Sequence, residues 1–410
     1  MKPFLLVWVL AVVGCASTPP FPRPDSDTAA DPGSRFLFVW AGDADRSDPD
    51  FLSVLDADPD SPTYGAVVTT LAVDAAGTGP HHTDHQMPPD GVLWANGFGS
   101  GDVFRFDLTA PRAPRLAGRF VVDSEFSHPH SFARLPDGRV LATLQTRGHT
   151  NAEAGALVEL DAEGRVLREA PAADPAIDPF IRPYSLAVVP ALDRVVTTSA
   201  DMHATDVSRV VQVWRLADLS RVATVVLPPG PGGSEGLDPA EPRTLRDGRT
   251  TLVSTFNCGL YRLHDLDTEA PSATFVYRFE GTNCALPVVS GRFWVQTVPD
   301  ANAIVSLDVS DPDRPREVGR LTLSQTDGPH WIALDPSGTR VVISGGKGTL
   351  ERRVLLATLD PETGALALDP RFRDPGADAP GVTFERSAWP HGPTGPAIPH
   401  GAVFSLRATE

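Results

Sequence analysis

Short apolar runs separated by turn-forming residues dominate the chain. Representative runs are residues 36–40, 103–106, 156–160, 210–214 and 303–307. Several of them alternate between apolar and polar residues, as half-buried β-strands do. The 41 prolines and 35 glycines, many in Asp-Gly, Asp-Pro or Pro-Ser-Gly stretches, suit tight turns between strands. Because no long helical periodicity interrupts the pattern, the sequence predicts an all-β protein.

A longer unit of about 50 residues repeats on top of this pattern. Residues 107–119 and 308–320 share six identities at an offset of 201, and segments beginning at His130 and His330 follow at an offset of 200. The anchors of all copies lie near residues 82, 130, 184, 240, 283 and 330 and within 389–400. Repeats of this length with several short strands each are typical of propeller blades. The seven anchors predict a seven-bladed β-propeller over residues 35–410.

Each repeat carries a polar or aromatic side chain at the anchor. A β-sandwich array is the alternative fold, but it gives no reason for such a residue at one fixed place. In a propeller, equivalent positions on the innermost strands converge on the central channel. The converging set is His82, His130, Tyr184, Glu241, Asn283, His330 and a C-terminal histidine, with His81, His85 and His128 one to three residues away.

Converging histidines are suited to binding a transition metal. Neutral imidazoles supply nitrogen ligands, and a nearby Glu or Tyr can complete the coordination or orient an imidazole. A polar channel that holds only water is the alternative. Three residues keep a second interpretation as well: His85 could point away from the axis, Tyr184 could be an ordinary buried aromatic, and Glu241 could be a solvated carboxylate.

The N-terminal residues have the organisation of an export signal. Lys2 gives a positive charge, and residues 4–13 form an apolar run too short to span a bilayer. The run ends in Val-Val-Gly-Cys at residues 12–15, which is similar to a bacterial lipoprotein cleavage box. We therefore expect residues 1–14 to be a lipoprotein signal peptide and Cys15 to carry the lipid. An ordinary secretory signal is the alternative.

Residues 15–34 are rich in Pro, Asp, Ser and Thr, which predicts a flexible tether. The expected location is therefore outside the cytoplasm, on a membrane of the periplasm or cell surface. A net charge of −17 without a Lys/Arg-rich stretch argues against a nucleic-acid partner. Cys258 and Cys284 could form a disulfide in an exported protein, or remain two buried thiols.

Several motifs resemble the selenium-binding protein family, which includes the methanethiol oxidases. Residues 51–64, followed by His81 and His82, resemble the family's opening Val-Asp-x-Asp-Pro-x-Ser-Pro-x-Tyr segment and its Leu-His-His. Further similar stretches follow in the family's order at residues 128–131, 212–215, 241–245, 306–315 and 395–401. The resemblance extends from about residue 36 to residue 400 and again implies a seven-bladed propeller.

The resemblance also implies a metal-dependent oxidase, with copper as the metal, that converts a small thiol and O₂ into an aldehyde, sulfide and peroxide. The matched metal ligands would be His81, His82, His130 and His400, with His128 as a looser match. His330 joins them on the internal repeat alone. Three or four of these histidines would hold the metal, and Glu241 or Tyr184 would take the substrate proton.

Two departures from the family argue against chemistry at the family's cysteine positions. Ser131 stands where the family has a cysteine after its second histidine pair, and the early cysteine-bearing segment after Leu-His-His is absent. Two other functions therefore stay open. One is a lipid-anchored binding or scaffold propeller without chemistry. The other is a lactonase-like hydrolase, which would favour carboxylate and Asn ligands around a hard divalent cation.

Overall fold

The structure of the protein is a computed structural model, which describes residues 34–203 and 206–406. In these residues, strands form seven sheets, and the only helical elements are three short 3-10 turns. The 3-10 turns are η1 (Pro190–Leu192), η2 (Pro299–Ala301) and η3 (Thr349–Arg352). The sheets are the blades of a seven-bladed β-propeller, so the predicted all-β fold and blade number are confirmed.

The blades follow one another along the chain. Blades 1 to 3 contain β1 (Phe36–Asp43), β2 (Pro49–Asp56), β3 (Val67–Ala76); β4 (Pro80–Thr83), β5 (Val92–Gly97), β6 (Asp102–Asp107), β7 (Arg115–Val121); and β8 (Phe126–Arg134), β9 (Val140–Arg147), β10 (Ala156–Leu160), β11 (Val166–Pro171). Blades 4 and 5 contain β12 (Pro183–Val189), β13 (Arg194–Ser199), β14 (Val210–Arg215), β15 (Arg221–Val226); and β16 (Pro239–Thr244), β17 (Thr251–Thr255), β18 (Gly259–His264), β19 (Ser272–Arg278).

The last two blades and the closing strand complete the ring. They contain β20 (Pro287–Ser290), β21 (Phe293–Val298), β22 (Ala303–Asp308), β23 (Arg316–Thr322); β24 (Asp327–Leu334), β25 (Arg340–Gly348), β26 (Arg353–Leu359), β27 (Leu366–Leu368), β28 (Val382–Thr383); and β29 (Ala397–Phe404). Neighbouring strands of every blade pair antiparallel, and β28 adds to β26 beside the main path of blade 7.

The C-terminal strand closes the propeller. β29 pairs with β1, so blade 1 has the order β29-β1-β2-β3 and takes its innermost strand from the end of the chain. The innermost strands are therefore β29, β4, β8, β12, β16, β20 and β24, and each contacts the next around the ring. Together these seven strands line the central channel.

The apolar core lies between the blades rather than at the axis. One buried cluster joins Trp40 of blade 1 to Phe104 of blade 2, and another joins Leu157 of blade 3 to Trp214 of blade 4. Blade 5 meets blade 6 through Leu260 and other apolar residues in the same way. Because each blade buries both faces against its neighbours, the ring gains rigidity without filling its centre.

Three sequence expectations concern regions beside the ring. The predicted signal peptide at residues 1–14, the lipid site Cys15 and nearly all of the tether lie outside the described residues. Cys258 and Cys284 form a disulfide, which resolves the choice that the sequence left open. Within the described chain, no helix has the length and apolar character to cross a membrane.

Candidate metal centre

The predicted site residues lie on the innermost strands of six blades. His81 and His82 lie on β4, His128 and His130 on β8, Tyr184 on β12, Glu241 on β16, His330 on β24 and His400 on β29. Residues far apart in the chain, such as His82 and His400, thus meet at one axis. This is the convergence that the repeat predicted.

Irregular strand pairing accompanies most of these residues. In β4, residues 80–83 oppose residues 95–97, so three steps along β4 match two along β5. The same kind of shift falls at residues 129–132, 183–186, 239–241 and 399–402. A β-bulge turns side chains away from strict alternation. In β4 it allows the adjacent residues His81 and His82 both to face the axis.

The axial histidines form a tight column. The His81 ring stacks on His82 with centroids 4.3 Å apart and on His400 at 4.2 Å. His130 lies 4.1 Å from His82, and His330 lies 5.0 Å from His400. Five imidazoles from four innermost strands thus share the centre of the channel.

The column presents nitrogen atoms that the protein leaves unsatisfied. Among the described residues, the buried atoms His81 Nδ1, His82 Nε2, His130 Nε2 and His330 Nε2 have no hydrogen-bond partner. A buried polar atom without a partner costs about 1–3 kcal/mol, and elsewhere in the described chain such atoms are scattered rather than grouped. Several of them at one place fit a bound cation that supplies the missing interaction.

Hydrogen bonds to backbone carbonyls fix the tautomer of two imidazoles. His130 Nδ1 lies 2.7 Å from the Tyr184 carbonyl oxygen, and His400 Nδ1 lies 2.9 Å from that of His81. Because a carbonyl only accepts, each Nδ1 carries the proton and each Nε2 keeps its lone pair. The Ser131 hydroxyl, 3.2 Å from His82 Nδ1, can accept a hydrogen bond in the same way. This arrangement is typical of metal-binding histidines.

Burial keeps the imidazoles neutral at physiological pH. It lowers the pKa of His130 to about 3 and that of His330 to about 4. Burial, followed by the neighbouring imidazoles, holds the pKa values of His81, His82 and His400 well below the ordinary value of 6.5. Neutral imidazole is the form that binds metals. The column therefore fits a transition-metal ion, which prefers nitrogen ligands, better than calcium or magnesium.

Three overlapping triplets have ligand atoms within 4.8 Å of one another. They are His81, His330 and His400; His81, His82 and His130; and His82, His85 and Glu241. The first two triplets consist of imidazoles alone, and the third adds a carboxylate. The site therefore runs along the axis from His330 to Glu241 rather than forming a single planar ring.

Glu241 and Tyr184 lie at the side of the column. Glu241 is fully buried, and its Oε2 accepts hydrogen bonds from Ser185 Oγ at 2.7 Å and Arg243 Nη1 at 2.6 Å. Its Oε1 has no partner among the described residues. Tyr184 packs its ring 3.9 Å from His130, and burial, then the negative charge of Glu241, raises its pKa well above 10. Tyr184 is therefore a neutral phenol beside the imidazoles.

His85 joins the site although the sequence suggested that it could point away from the axis. Its ring stacks on Trp331 with centroids 4.9 Å apart and planes 7° apart, and Arg243 Nη2 lies 3.3 Å from its Nε2. The chain leaves β4 at Thr83, so strand alternation no longer governs position 85. Its proximity to a Leu-His-His-like pair was the only sequence signal for it.

Two other candidates lie apart from the column. His128 has a left-handed backbone with φ of 56°, and its Nδ1 lies 3.2 Å from the Phe98 carbonyl oxygen. Its ring faces His203 at 5.7 Å, and it belongs to none of the three triplets. Asn283 precedes β20, and its backbone N–H donates to Asp300 at the rim. Both lie outside the group of residues that could bind one ion.

Comparison with known proteins gives partial sequence matches. No protein-family model matches the chain. A methanethiol oxidase from a Hyphomicrobium species is 35% identical over 124 residues, which are 28% of this chain and 27% of that protein. Selenium-binding protein 2 of Arabidopsis thaliana is 27% identical over 170 residues, 37% of this chain and 34% of that protein. The matched segments thus span about a third or less of these relatives.

Solved structures match over most of the chain. A selenium-binding protein from Sulfolobus tokodaii, described as hypothetical, aligns over 91% of this chain and 94% of its own, with a TM-score of 0.72 and 15% identity. A periplasmic gluconolactonase from Pseudomonas aeruginosa aligns over 91% and 99%, with a TM-score of 0.63 and 14% identity. At such identities the structures establish the propeller fold alone. The chain is thus a seven-bladed propeller with weak sequence similarity to methanethiol oxidases and selenium-binding proteins.

Proposed function

We propose that the protein is a copper-dependent oxidase of small thiols. The observation that carries the proposal is the column of buried, neutral imidazoles whose free nitrogens face one another. His81, His82, His130, His330 and His400 would hold the ion, in sets of three or four. The partial similarity to a methanethiol oxidase supports a thiol as the substrate, and the all-imidazole donor set suits copper as the metal.

The reaction proposed converts a thiol, O₂ and water into an aldehyde, hydrogen sulfide and hydrogen peroxide. The carbon bound to sulfur is oxidised by two electrons, O₂ is reduced by the same two electrons, and water supplies the aldehyde oxygen. Copper, when bound, would supply the electron-transfer chemistry that amino-acid side chains lack. The protein contributes positions for the ion and the substrate and a group that accepts the thiol proton.

Glu241 would accept that proton. Ser185 and Arg243 both bind Oε2, which leaves Oε1 without a partner in the described structure. The carboxylate is thus held in one orientation, and Glu241 forms one of the three triplets with His82 and His85. Tyr184 keeps its proton because of its raised pKa, so it orients His130 rather than acting as the base.

The N-terminal sequence and the disulfide suggest where the protein is located. We propose that the chain is exported as a lipoprotein, anchored through Cys15 and held off the membrane by residues 15–34. The disulfide between Cys258 and Cys284 supports an oxidising compartment outside the cytoplasm. Labelling with a lipid precursor, compared between the native chain and a Cys15→Ala variant, tests the anchor.

Metal analysis of residues 16–410, produced without a metal-binding tag, tests the proposed function. We expect about one copper per chain and release of sulfide and peroxide from a small thiol. A Glu241→Gln variant should keep the copper and lose turnover by roughly a hundredfold, because the carboxamide cannot accept the proton. Absence of any transition metal after reconstitution would contradict the proposal and favour a binding propeller. Calcium or magnesium in its place would favour the hydrolase.

A further inference from the structure

A recess of about 450 Å³ opens at the mouth of the channel beside His85. The segment after β4 and the innermost strands of blades 3 to 7 line it. Its walls are mainly apolar and include Met87, Phe132, Leu186, Val188, Val288 and Leu334. We call this cavity the axial recess. Two of its lining residues, His85 and Arg243, lie next to Glu241 at one end of the site.

His85, a lining residue of the axial recess, carries a buried N–H donor. Arginine only donates hydrogen bonds, so Arg243 Nη2 makes His85 Nε2 an acceptor. In the neutral ring the proton then lies on Nδ1, and this buried Nδ1 has no partner in the described part of the chain. His85 thus differs from His130 and His400, whose Nε2 lone pairs stay free. It is a donor at the end of the column rather than a metal ligand.

The charges around the axial recess compensate one another. Arg243 pairs with Glu241 at 2.6 Å, and Arg134 pairs with Asp84 at 3.2 Å. Each pair is largely removed from solvent, since Glu241 and Asp84 expose 1% and 5% of their side chains. A ligand with a second charged group would therefore find no free counterion in the axial recess. The surroundings favour a single polar head and an uncharged tail.

We propose that the axial recess binds the substrate and that this substrate is an uncharged thiol with an apolar chain of several carbons. Its sulfur would accept the His85 Nδ1–H bond near Glu241, and its chain would pack on Met87, Leu186 and Val188. The volume supports this class, because about 450 Å³ lies within the range of cavities that bind whole small organic molecules rather than one-carbon compounds. The inference rests on the proposed function.

The first test uses the metal-free protein, so that binding is separated from turnover. Calorimetry under anaerobic conditions with a chelator would compare ethanethiol, butanethiol and hexanethiol. Burial of each added methylene should tighten binding by about fourfold. An affinity that does not change with chain length would overturn the proposal, and this result needs no variant that could misfold.

Variants then locate the binding. Val188→Trp places a large side chain at the half-buried wall of the axial recess. It should abolish the gain in binding affinity between butanethiol and hexanethiol. The matched control is Val121→Trp on the outer strand β7, where the valine is 56% exposed, and this variant should keep the gain. His85→Phe should weaken binding of every thiol by roughly tenfold, whereas His85→Gln, which retains an N–H donor, should restore most of it. Equal behaviour of the two tryptophan variants would place the thiol elsewhere.

Metal content distinguishes this inference from the proposed function. His85→Phe should retain the copper of the native protein, and loss of copper would show that His85 is a ligand and overturn its role as a donor. Chain-length-dependent binding by a protein that takes no copper would contradict the oxidase and support the axial recess. Thiol oxidation together with binding that does not depend on chain length would support the oxidase and contradict binding in the axial recess.

Discussion

The layers between the blades and the central channel are both buried, but they satisfy their polar atoms differently. Between the blades, Trp40 donates its indole N–H to the Asn96 carbonyl oxygen, and Trp214 donates to Thr197 Oγ1, both at 2.9 Å. Along the axis, the described structure leaves His82 Nε2 and His130 Nε2 without partners. Trp94 Nε1, between blades 2 and 3, is a single unpartnered atom in such a layer, whereas the axis collects several unpartnered nitrogens at one place.

This difference separates stability from function within one small volume. Apolar burial between blades supplies the folding free energy, since side chains such as Trp214 are almost fully buried there. Unsatisfied imidazoles oppose folding by about 1–3 kcal/mol each. Substitutions in the two regions should therefore have opposite signatures: loss of stability without loss of metal, or loss of metal without loss of stability.

The largest effect is expected at the axis. Replacing His82 and His130 together by alanine removes two of the three imidazoles in one triplet. Copper content should fall from about one per chain to below about a tenth, while the thermal unfolding temperature of the metal-free protein should not fall. Elemental analysis and calorimetric unfolding measure the two quantities. Unchanged copper content would remove the basis of the proposed metal centre.

A large effect on stability, rather than on metal binding, is expected between blades 3 and 4. Trp214→Ala should lower the free energy of unfolding by about 3–5 kcal/mol, because it leaves a cavity in a closely packed layer. The folded variant should still bind copper with native stoichiometry. Denaturant titration and metal analysis check this, with Trp214→Phe as the milder matched variant. Loss of copper from folded Trp214→Ala would show that the two regions are coupled.

Acid should weaken the metal-free protein through the same imidazoles. The pKa values of His130 and His330 in the folded state, about 3 and about 4, lie below the ordinary value of 6.5. As pH falls below 6.5, these two imidazoles become protonated in the unfolded chain but stay neutral in the folded chain. Stability is therefore full above pH 6.5 and declines towards pH 4, by on the order of 2 kcal/mol for each histidine at pH 5. A variant with alanine at both His130 and His330 should lose less unfolding free energy between pH 7 and pH 4, which denaturant titration at each pH measures.

The smallest effect is expected at His128. Its ring lies beside His203 and Phe98 rather than in the column. His128→Ala should change copper affinity by less than about twofold, whereas His400→Ala should weaken it by tenfold or more. Competition with a chromogenic chelator measures both. A large loss in His128→Ala would mean that the channel rearranges around the ion.

The sequence predicted the ring better than the site within it. The repeat placed His82, His130 and His330 correctly on innermost strands, because blade order fixes which strand lines the channel. The disulfide and the contacts of His85 could not be predicted in this way. A period of two puts neighbouring side chains on opposite faces, and the bulge in β4 breaks that rule for His81 and His82. Bulges leave no clear trace in an apolar pattern.

His128 shows the converse case. It lies two residues before His130, so regular alternation would give both the same side of β8. The shift between Pro129 and Phe132 and the left-handed backbone of His128 turn its side chain elsewhere. The family resemblance matched it only loosely, and local geometry accounts for the difference.

The closing strand has a consequence for when the site can exist. His400 lies on β29, which pairs with β1 only after the last blade has been made. An unfinished chain therefore lacks one wall of the channel, however many of the earlier histidines it already contains. The triplet of His81, His330 and His400 therefore forms only when the ring closes, whereas the triplet of His81, His82 and His130 needs blades 2 and 3 alone. Synthesis of the last strand thus decides when the full column of histidines is assembled.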